Sequence, residues 1–229
     1  MISVVIPTLN EKKNITLIIK KLIKLNFIFE IIFVDDNSSD GTFMEIKKFS
    51  KKKKIKGFKR KKDRDLTKSV IYGVSKCKYE NILVMDCDLQ HDVSYVSKMW
   101  KMYKKKKYEI VIGSRFGKNS FFGNLGFLRS IISKTAILFI NIVFGKKSSD
   151  PLSGFFICKK KIITNYRKDF FGKGYKILFD VLYNGKKNLL IFDQEIVFRK
   201  RIHENSKFNL RIIGLFFHQI LYTLSLVKK

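Results

Sequence analysis

The stretch that decides the fold is Ile82-Leu83-Val84-Met85-Asp86-Cys87-Asp88-Leu89-Gln90-His91. Its four apolar residues, 82–85, predict a buried strand. Asp86 and Asp88 then arrive at the carboxyl end of that strand, the edge where an open α/β sheet binds its ligands. Together with the amide oxygen of Gln90 they form an all-oxygen set suited to Mg²⁺ or Mn²⁺ bound with substrate phosphates. The alternative is a plain acidic turn after a strand.

Strands and helices alternate on both sides of this stretch. Further strands are predicted at 2–6, 31–34, 55–58 and 110–113. Between the first two, apolar residues from Ile15 to Leu25 recur at helical spacing. This alternation predicts an α/β fold, a mainly parallel sheet with helices on both faces. Acidic residues at the ends of three strands then meet at one edge, which is the geometry of a site.

The length of 229 residues fits one α/β domain with a sizeable core. We expect this domain to cover residues 1–207 and an amphipathic C-terminal helix to follow at 208–229. The apolar opening is a strand broken by a proline and predicts no signal peptide. Three widely spaced cysteines, Cys77, Cys87 and Cys158, indicate a reducing compartment and neither a zinc site nor a disulfide framework.

The formal net charge is +29, from 48 Lys and Arg against 19 Asp and Glu. Such a surface suits either nucleic acid or anionic lipid. The chain has no RNA- or DNA-binding motif, and its basic residues do not interleave with an aromatic platform, so we expect no nucleic-acid partner. A membrane surface is favoured, where each basic residue contributes about 1 kcal/mol. Biased coding composition is a further source of the charge.

Two apolar stretches, 131–144 and 212–227, agree with a membrane partner. Both have basic flanks and polar breaks, and both are shorter than the roughly 20 residues that span a bilayer. They predict amphipathic helices at the membrane interface, the first at 129–145, and no full transmembrane helix. Packing in the protein core is the alternative for each.

Five motifs occur in order along the chain. They are Pro7-Thr8-Leu9-Asn10-Glu11, Val34-Asp35-Asp36-Asn37-Ser38, Asp86-Cys87-Asp88-Leu89-Gln90, Gly113-Ser114-Arg115-Phe116 and Asp150-Pro151-Leu152-Ser153-Gly154-Phe155. In these motifs the chain resembles family-2 glycosyltransferases of the GT-A fold. The resemblance is to the branch of dolichyl-phosphate mannose synthase and related polyprenyl-phosphate glycosyltransferases, and it extends from residue 2 to about residue 207.

The resemblance implies a hexosyltransferase that needs Mg²⁺ or Mn²⁺. It would move mannose from GDP-mannose to a polyprenyl phosphate, with inversion, as a peripheral protein on the cytoplasmic face of the membrane. UDP-glucose is an alternative donor, since the branch contains both. A polysaccharide acceptor is a second alternative, and a basic membrane-surface protein that has lost turnover is a third. No obligate protein partner is expected.

The resemblance also implies residues for the nucleotide sugar and the metal. The nucleotide-sugar residues would be Pro7, Leu9, Glu11, Val34, Asp36, Asp86, Cys87, Asp88, Arg115, Arg201 and Lys207. Asp36 would accept hydrogen bonds from the base or ribose, and Asp86, Asp88 and Gln90 would hold the metal. His91 is either a phosphate contact or a plain loop histidine.

For the acceptor, the resemblance implies that Arg115, Arg129 and Ser133 cradle the lipid phosphate. Arginine suits this task because its planar fork pairs two phosphate oxygens at once. Asp150 would lie near the acceptor as a base or as an orienting group. Asp88, Asp150 and Arg115 are therefore the predicted catalytic residues.

The chain departs from the family pattern at several positions. Leu9 stands where tyrosine is usual, Cys87 where a small residue is usual, and Glu204 where glycine is usual. Asp65-Leu66 stands where the family has a Gly-Leu pair, and Phe156 stands where arginine often follows the Gly-Phe pair. Asp65 is predicted to cap the helix that follows it.

Overall fold

The structure is a computed structural model that describes residues 1–51, 54–61, 63–105, 107–116, 127–199 and 210–227. The first half contains β1 (Ile2–Thr8), α1 (Lys12–Leu22), β2 (Ile28–Asp35), α2 (Thr42–Phe49), β3 (Ile55–Lys59), α3 (Leu66–Lys76) and β4 (Asn81–Val84). The second half contains α4 (Ser94–Lys104), β5 (Ile110–Ser114), α5 (Phe127–Phe144), β6 (Phe156–Lys159), α6 (Lys160–Thr164), α7 (Ile177–Tyr183), β7 (Ile191–Glu195) and α8 (Leu210–Val227).

Seven strands of the described residues form one sheet in the order β3-β2-β1-β4-β6-β5-β7. Neighbours among β1 to β4 pair in parallel, and so do β5 and β7. Strand β6 is antiparallel to both of its neighbours, β4 and β5. The prediction of an α/β fold with a mainly parallel sheet is confirmed. The reversed strand β6 was not predicted.

Helices cover both faces of the sheet because side chains alternate along each strand. Val4 and Ile6 of β1 point into a core shared with α1 and α4. Val5 points the other way, into a second core shared with α3, α6 and α7. The two cores hold the strands rigidly, so their carboxyl ends keep a fixed spacing.

Strand β1 is longer than predicted, because Pro7 lies inside it and does not end it. The carbonyl of Val5 accepts from the backbone N–H of Met85, so the backbone polar groups of Val5 point towards β4. The backbone nitrogen of Pro7, two residues further on, points to the same side. The paired part of β4 ends opposite Val5. The N–H that proline lacks is therefore not needed there.

Helices α5 and α8 pack together and against Phe179 of α7. Ile137 and Ile140 of α5 meet Ile220 of α8 in a small separate core. Much of α5 remains exposed, including Leu138 at 60% and Ile142 at 74%. Among the described helices, none has both the length and the apolar character that crossing a bilayer requires. The predicted boundary at residue 207 lies outside the described residues.

Candidate active site

A cleft opens at the carboxyl ends of β1, β2 and β4. Nine of the predicted site residues line it: Pro7, Leu9, Glu11, Asp36, Asp86, Cys87, Asp88, Gln90 and Arg115. They come from four motifs spread over more than a hundred positions, and the parallel strands bring them to one edge. We call the part next to Asp36 the β2 side and the part next to Arg115 the β5 side.

Asp86 and Asp88 form the floor of the cleft. Asp88 is 4% exposed, and its Oδ1 accepts from the backbone N–H of Gln90 at 3.1 Å. Between them and Gln90 the chain turns sharply, with Leu89 at a φ of 60°. A Cβ at Gly154 would lie 2.9 Å from Asp86 Oδ2, so glycine is needed there to leave room for the carboxylate.

The oxygen atoms on this floor are of the kind that a small divalent cation binds. Asp86, Asp88 and Gln90 all line the cleft, and the Gln90 Nε2 donates to the carbonyl of Arg199 at 3.1 Å. That contact assigns Oε1 as the atom a cation would use. Within the described residues, no group of three or more His, Cys, Asp or Glu side chains could hold an ion. Two carboxylates and one amide leave positions for phosphate oxygens and water, as Mg²⁺ prefers.

His91 forms a buried wall of the cleft. Its ring stacks on Phe155, with centroids 4.9 Å apart, and meets Phe198 edge-on. Its Nδ1 lies 3.9 Å from Asp86 Oδ2. Burial lowers the pKa of His91 to about 4, so the ring is neutral at neutral pH. His91 is therefore a buried part of the cleft and not an exposed loop histidine.

On the β2 side, Asp36 is held by two strong contacts. Its Oδ1 accepts from Arg60 Nη1 at 2.5 Å, and its Oδ2 accepts from the backbone N–H of Asp65 at 2.5 Å. Burial raises the pKa of Asp36, against the opposing effects of these two contacts. Asp65 caps α3 as predicted, accepting from the N–H of Lys68 at 2.9 Å.

The loop after β1 is tied to the loop after β2. The backbone N–H of Asn10 donates to Ser38 Oγ at 2.8 Å, and Asn10 Oδ1 accepts from the N–H of Ser39 at 3.0 Å. Glu11 is buried and accepts from the side chain of Asn14 at 2.7 Å. These contacts fix the wall formed by Pro7 to Glu11.

On the β5 side, Arg115 and Asp150 form a bidentate pair. Arg115 donates to Asp150 through Nε at 2.7 Å, Nη2 at 2.9 Å and its backbone N–H at 3.1 Å. Burial acts to lower the pKa of Arg115, but the Asp150 carboxylate raises it overall. Asp150 is fully buried behind Arg115 and does not line the cleft, which favours its orienting role over that of a base.

A network that the sequence did not predict supports this pair. Asp193 on β7 accepts from Ser148 Oγ at 2.7 Å, from the Ser149 N–H at 2.6 Å and from Ser149 Oγ at 2.8 Å. Ser149 Oγ also meets Ser114 Oγ at 2.7 Å, and Ser148 Oγ accepts from the Asp150 N–H at 3.1 Å. Asp193 therefore fixes the loop that carries Asp150.

Several predicted residues do not meet at the cleft. Val34 was expected to line the nucleoside pocket, but it is fully buried under α3, where a Cβ at Gly73 would lie 3.0 Å from its Cγ2. Alternation along β2 turns Val34 into the core. Ser133 is half-buried on α5 and does not line the cleft. The side chain of Arg129 and all of Arg201 and Lys207 lie outside the described residues.

Sequence reasoning missed the segment before α7. Tyr175, Lys176 and Ile177 all line the cleft, and Lys176 Nζ donates to the carbonyl of Leu152 at 3.3 Å. The available signal was weak, a glycine followed by an aromatic residue and a cation at the start of an apolar run. Nothing local indicates that this segment crosses to the floor of the cleft.

The sheet order and the acidic cleft at its carboxyl edge together define a GT-A fold, as predicted. Residues 3–167 match the family described as Glycosyl transferase family 2. The chain belongs to this family, a family of glycosyltransferases, and the predicted class of enzyme is confirmed at that level.

Curated relatives point to the same branch. The chain is 33% identical to the dolichol-phosphate mannosyltransferase of Pyrococcus furiosus over 194 residues, which are 83% of this chain and 54% of the relative. It is 29% identical to the dolichol-phosphate mannosyltransferase of Saccharomyces cerevisiae over 188 residues, 79% of this chain and 69% of the relative. The chain thus spans about half the length of the Pyrococcus protein.

A solved structure shows the same fold at low identity. Glucosyl-3-phosphoglycerate synthase from Mycobacterium tuberculosis, in complex with Mn²⁺, UDP and glucosyl-3-phosphoglycerate, superposes with a TM-score of 0.72 at 18% identity. The match covers 98% of this chain and 78% of that one. At this identity the likeness establishes the GT-A fold alone.

Proposed function

We propose that this protein transfers a hexose from a nucleotide-diphosphate sugar to a polyprenyl phosphate. One observation carries the proposal: a single cleft joins the carboxylates of Asp86 and Asp88 to the guanidinium of Arg115. The first set suits a cation and the second a phosphate. The two relatives named dolichol-phosphate mannosyltransferase support the lipid phosphate as acceptor and mannose as sugar.

The donor would bind on the β2 side. Pro7, Leu9 and Glu11 would line the nucleoside, and Asp36 would accept hydrogen bonds from its hydroxyls or base. Asp86, Asp88 and Gln90 would hold Mg²⁺ or Mn²⁺, which neutralises charge on the leaving diphosphate when bound. The Mn²⁺ and UDP held by the mycobacterial enzyme support a divalent ion in this fold.

The acceptor would bind on the β5 side. Its phosphate is already anionic and nucleophilic at neutral pH, so the reaction needs no strong general base. Asp150 accepts from Nε and Nη2 of Arg115, which orients the guanidinium plane. The remaining nitrogen, Nη1, would then donate to the acceptor phosphate. Attack by a phosphate oxygen on the face opposite the diphosphate would invert the anomeric carbon.

GDP-mannose is the first candidate donor and UDP-glucose the second. Leu9 lines the cleft, and its side chain has no polar atom with which to select a base. The uridine nucleotide of the mycobacterial fold relative supports the second candidate. Transfer of label from each donor into organic-extractable lipid decides between them, and label in a water-soluble polymer instead would point to a polysaccharide acceptor.

Asp88→Asn tests the reaction directly. The variant loses a charged ligand of the proposed cation, so we expect kcat for lipid labelling to fall at least about 100-fold, the scale of losing one electrostatic group of an active site. Asp63→Asn removes the same charge from a side chain that is 85% exposed and should behave like wild type. Full activity in Asp88→Asn would refute the metal role.

We also propose that the protein attaches peripherally to the cytoplasmic face of a membrane. The exposed apolar residues of α5 and the net charge of +29 support this. Flotation with vesicles that contain anionic lipid should carry the protein upward, and neutral vesicles should carry less of it, because the basic surface contributes attraction. Equal flotation with both would remove the electrostatic part of the proposal.

A further inference from the structure

Lys176 is a cation of the cleft that has no role in the account above. It is the last residue before α7, it is half-buried, and it lines the cleft between Tyr175 and Ile177. Its Nζ donates to the carbonyl of Leu152 at 3.3 Å, which brings the ammonium to the segment that also carries Gly154. The side chain therefore points towards the floor and not towards bulk solvent.

Lys176 shares the cleft with the proposed reaction centre. It lines the cleft together with Asp88, one of the proposed cation ligands, and with Arg115. Of these, Arg115 is closely neutralised by the buried Asp150. Among the described residues that line the cleft, Lys176 and Arg115 are the two that carry a fixed positive charge.

The backbone around Lys176 is fixed from two sides. Gly174, at a φ of 86°, donates its N–H to Asp65 Oδ2 at 2.7 Å and accepts from the Thr67 N–H at 2.9 Å. The carbonyl of Lys176 accepts from Gln219 Nε2 of α8 at 3.1 Å, and Gln219 is 1% exposed. Buried contacts of this kind are costly to leave unmade, so they stabilise the segment in this position.

The tie to Asp65 is a feature of this chain's own sequence. Asp65 stands where the resembling family carries glycine, which has no side chain to accept from Gly174. The same aspartate also donates its backbone N–H to Asp36 on the β2 side. One residue thus links the wall of the nucleoside pocket to the segment that carries Lys176.

We propose that Lys176 is a phosphate-binding residue of the cleft, contacting either the diphosphate of the donor or the phosphate of the acceptor. An ammonium group offers a compact charge and three donors, which suits phosphate oxygens of varied geometry. The inference rests on the proposed function for the identity of the two phosphates. A charge-assisted contact of this kind contributes about 10- to 100-fold in affinity.

The test measures binding without turnover. GDP and UDP, each with Mn²⁺, and a short polyprenyl phosphate are titrated by calorimetry into the wild-type protein, Lys176→Gln and Lys176→Arg. Lys173→Gln is the matched control, since Lys173 lies three residues earlier and is exposed. We expect Lys176→Gln to weaken at least one ligand by about 10- to 100-fold, Lys176→Arg to recover part of the loss, and Lys173→Gln to change affinity less than about twofold.

The pattern of affinity losses shows which of the two phosphates Lys176 contacts. A loss confined to GDP and UDP assigns the donor diphosphate, and a loss confined to the lipid assigns the acceptor. Equal affinities of Lys176→Gln and Lys173→Gln for every ligand would overturn the proposal. Thermal unfolding verifies that Lys176→Gln is folded, and Lys176→Met, which keeps the apolar stem, replaces it if it is not.

Failure of the proposed function has a different signature. If the wild-type protein binds a nucleotide but labels no lipid, the proposed acceptor is wrong, while the affinity ratio of Lys176→Gln to Lys173→Gln still decides the role of Lys176. If the wild-type protein binds none of the three ligands, both proposals fall.

Discussion

Two half-buried arginine–aspartate pairs flank the cleft, and they present opposite charges to it. On the β2 side Asp36 lines the cleft and Arg60 lies behind it; on the β5 side Arg115 lines the cleft and Asp150 lies behind it. The same chemical pair, turned around, therefore offers a hydrogen-bond acceptor on one side and a phosphate-binding donor on the other. This contrast matches a ligand whose hydroxyls and phosphates lie at opposite ends.

The two pairs also differ in how they are supported. Asp36 is held within one neighbourhood, by Arg60 and the backbone of Asp65. Arg115 depends on Asp150, whose loop is held by Asp193 on the edge strand β7. The β5 side is thus a chain of contacts across distant segments, and we expect it to respond more strongly to a single change.

Asp150→Asn should disrupt the arginine–aspartate pair on the β5 side and have the largest effect on stability. It leaves the guanidinium of Arg115, whose side chain is only 11% exposed, without its counter-charge. Removing one partner of a buried ion pair typically costs about 3–5 kcal/mol of unfolding free energy. We expect a loss on that scale in urea unfolding, and a large fall in kcat for lipid labelling in the folded fraction. Asp63→Asn is again the control, and a variant as stable as wild type would show that Arg115 does not depend on Asp150.

Asp36→Asn should have a smaller effect on stability and one that depends on pH. Burial raises the pKa of Asp36 above its ordinary value of 3.8, so the folded protein binds more protons than the unfolded chain just above that pH. The stabilisation from this group is full at lower pH and is lost as pH rises through the folded pKa. Asp36→Asn has no carboxylate to ionise and therefore lacks this loss. The unfolding free energy of the variant minus that of the wild-type protein should increase from about pH 4 upward, by at most about 1.4 kcal/mol per pH unit.

Urea unfolding of both proteins at several pH values checks this prediction. A difference that decreases with pH would mean that Arg60 lowers the pKa of Asp36 more than burial raises it. The two sides of the cleft would then be electrostatically alike, and the contrast between them would rest on geometry alone.

The sequence predicted those features that depend on residues close together in the chain. Asp36 directly follows β2, and Asp86 and Asp88 come two and four residues after the end of β4. Strand position and chemistry were therefore enough to bring them together at one edge. Arg115, which follows β5, was predicted from the resemblance to the glycosyltransferase family. The cap formed by Asp65 was also predicted from its place before a helix.

The remaining features depend on contacts between distant segments. Asp65 meets Gly174 over a separation of 109 residues, and Ser149 meets Asp193 over 44. No local pattern encodes either contact. Val34 was misplaced because a motif gives the neighbourhood of a residue but not the face of the strand on which it lies; the side-chain alternation of β2 buries it.

The antiparallel strand β6 has a consequence for the order in which the chain is made. Strands β1 to β4 are complete once residue 84 has been synthesised, but the other edge of β4 pairs only with residues 156–159. A ribosome adding about 5–20 residues per second leaves that edge open for several seconds. Open edges invite pairing with other chains. Nascent chains stopped between these points should therefore be the forms most prone to aggregate and most in need of a chaperone.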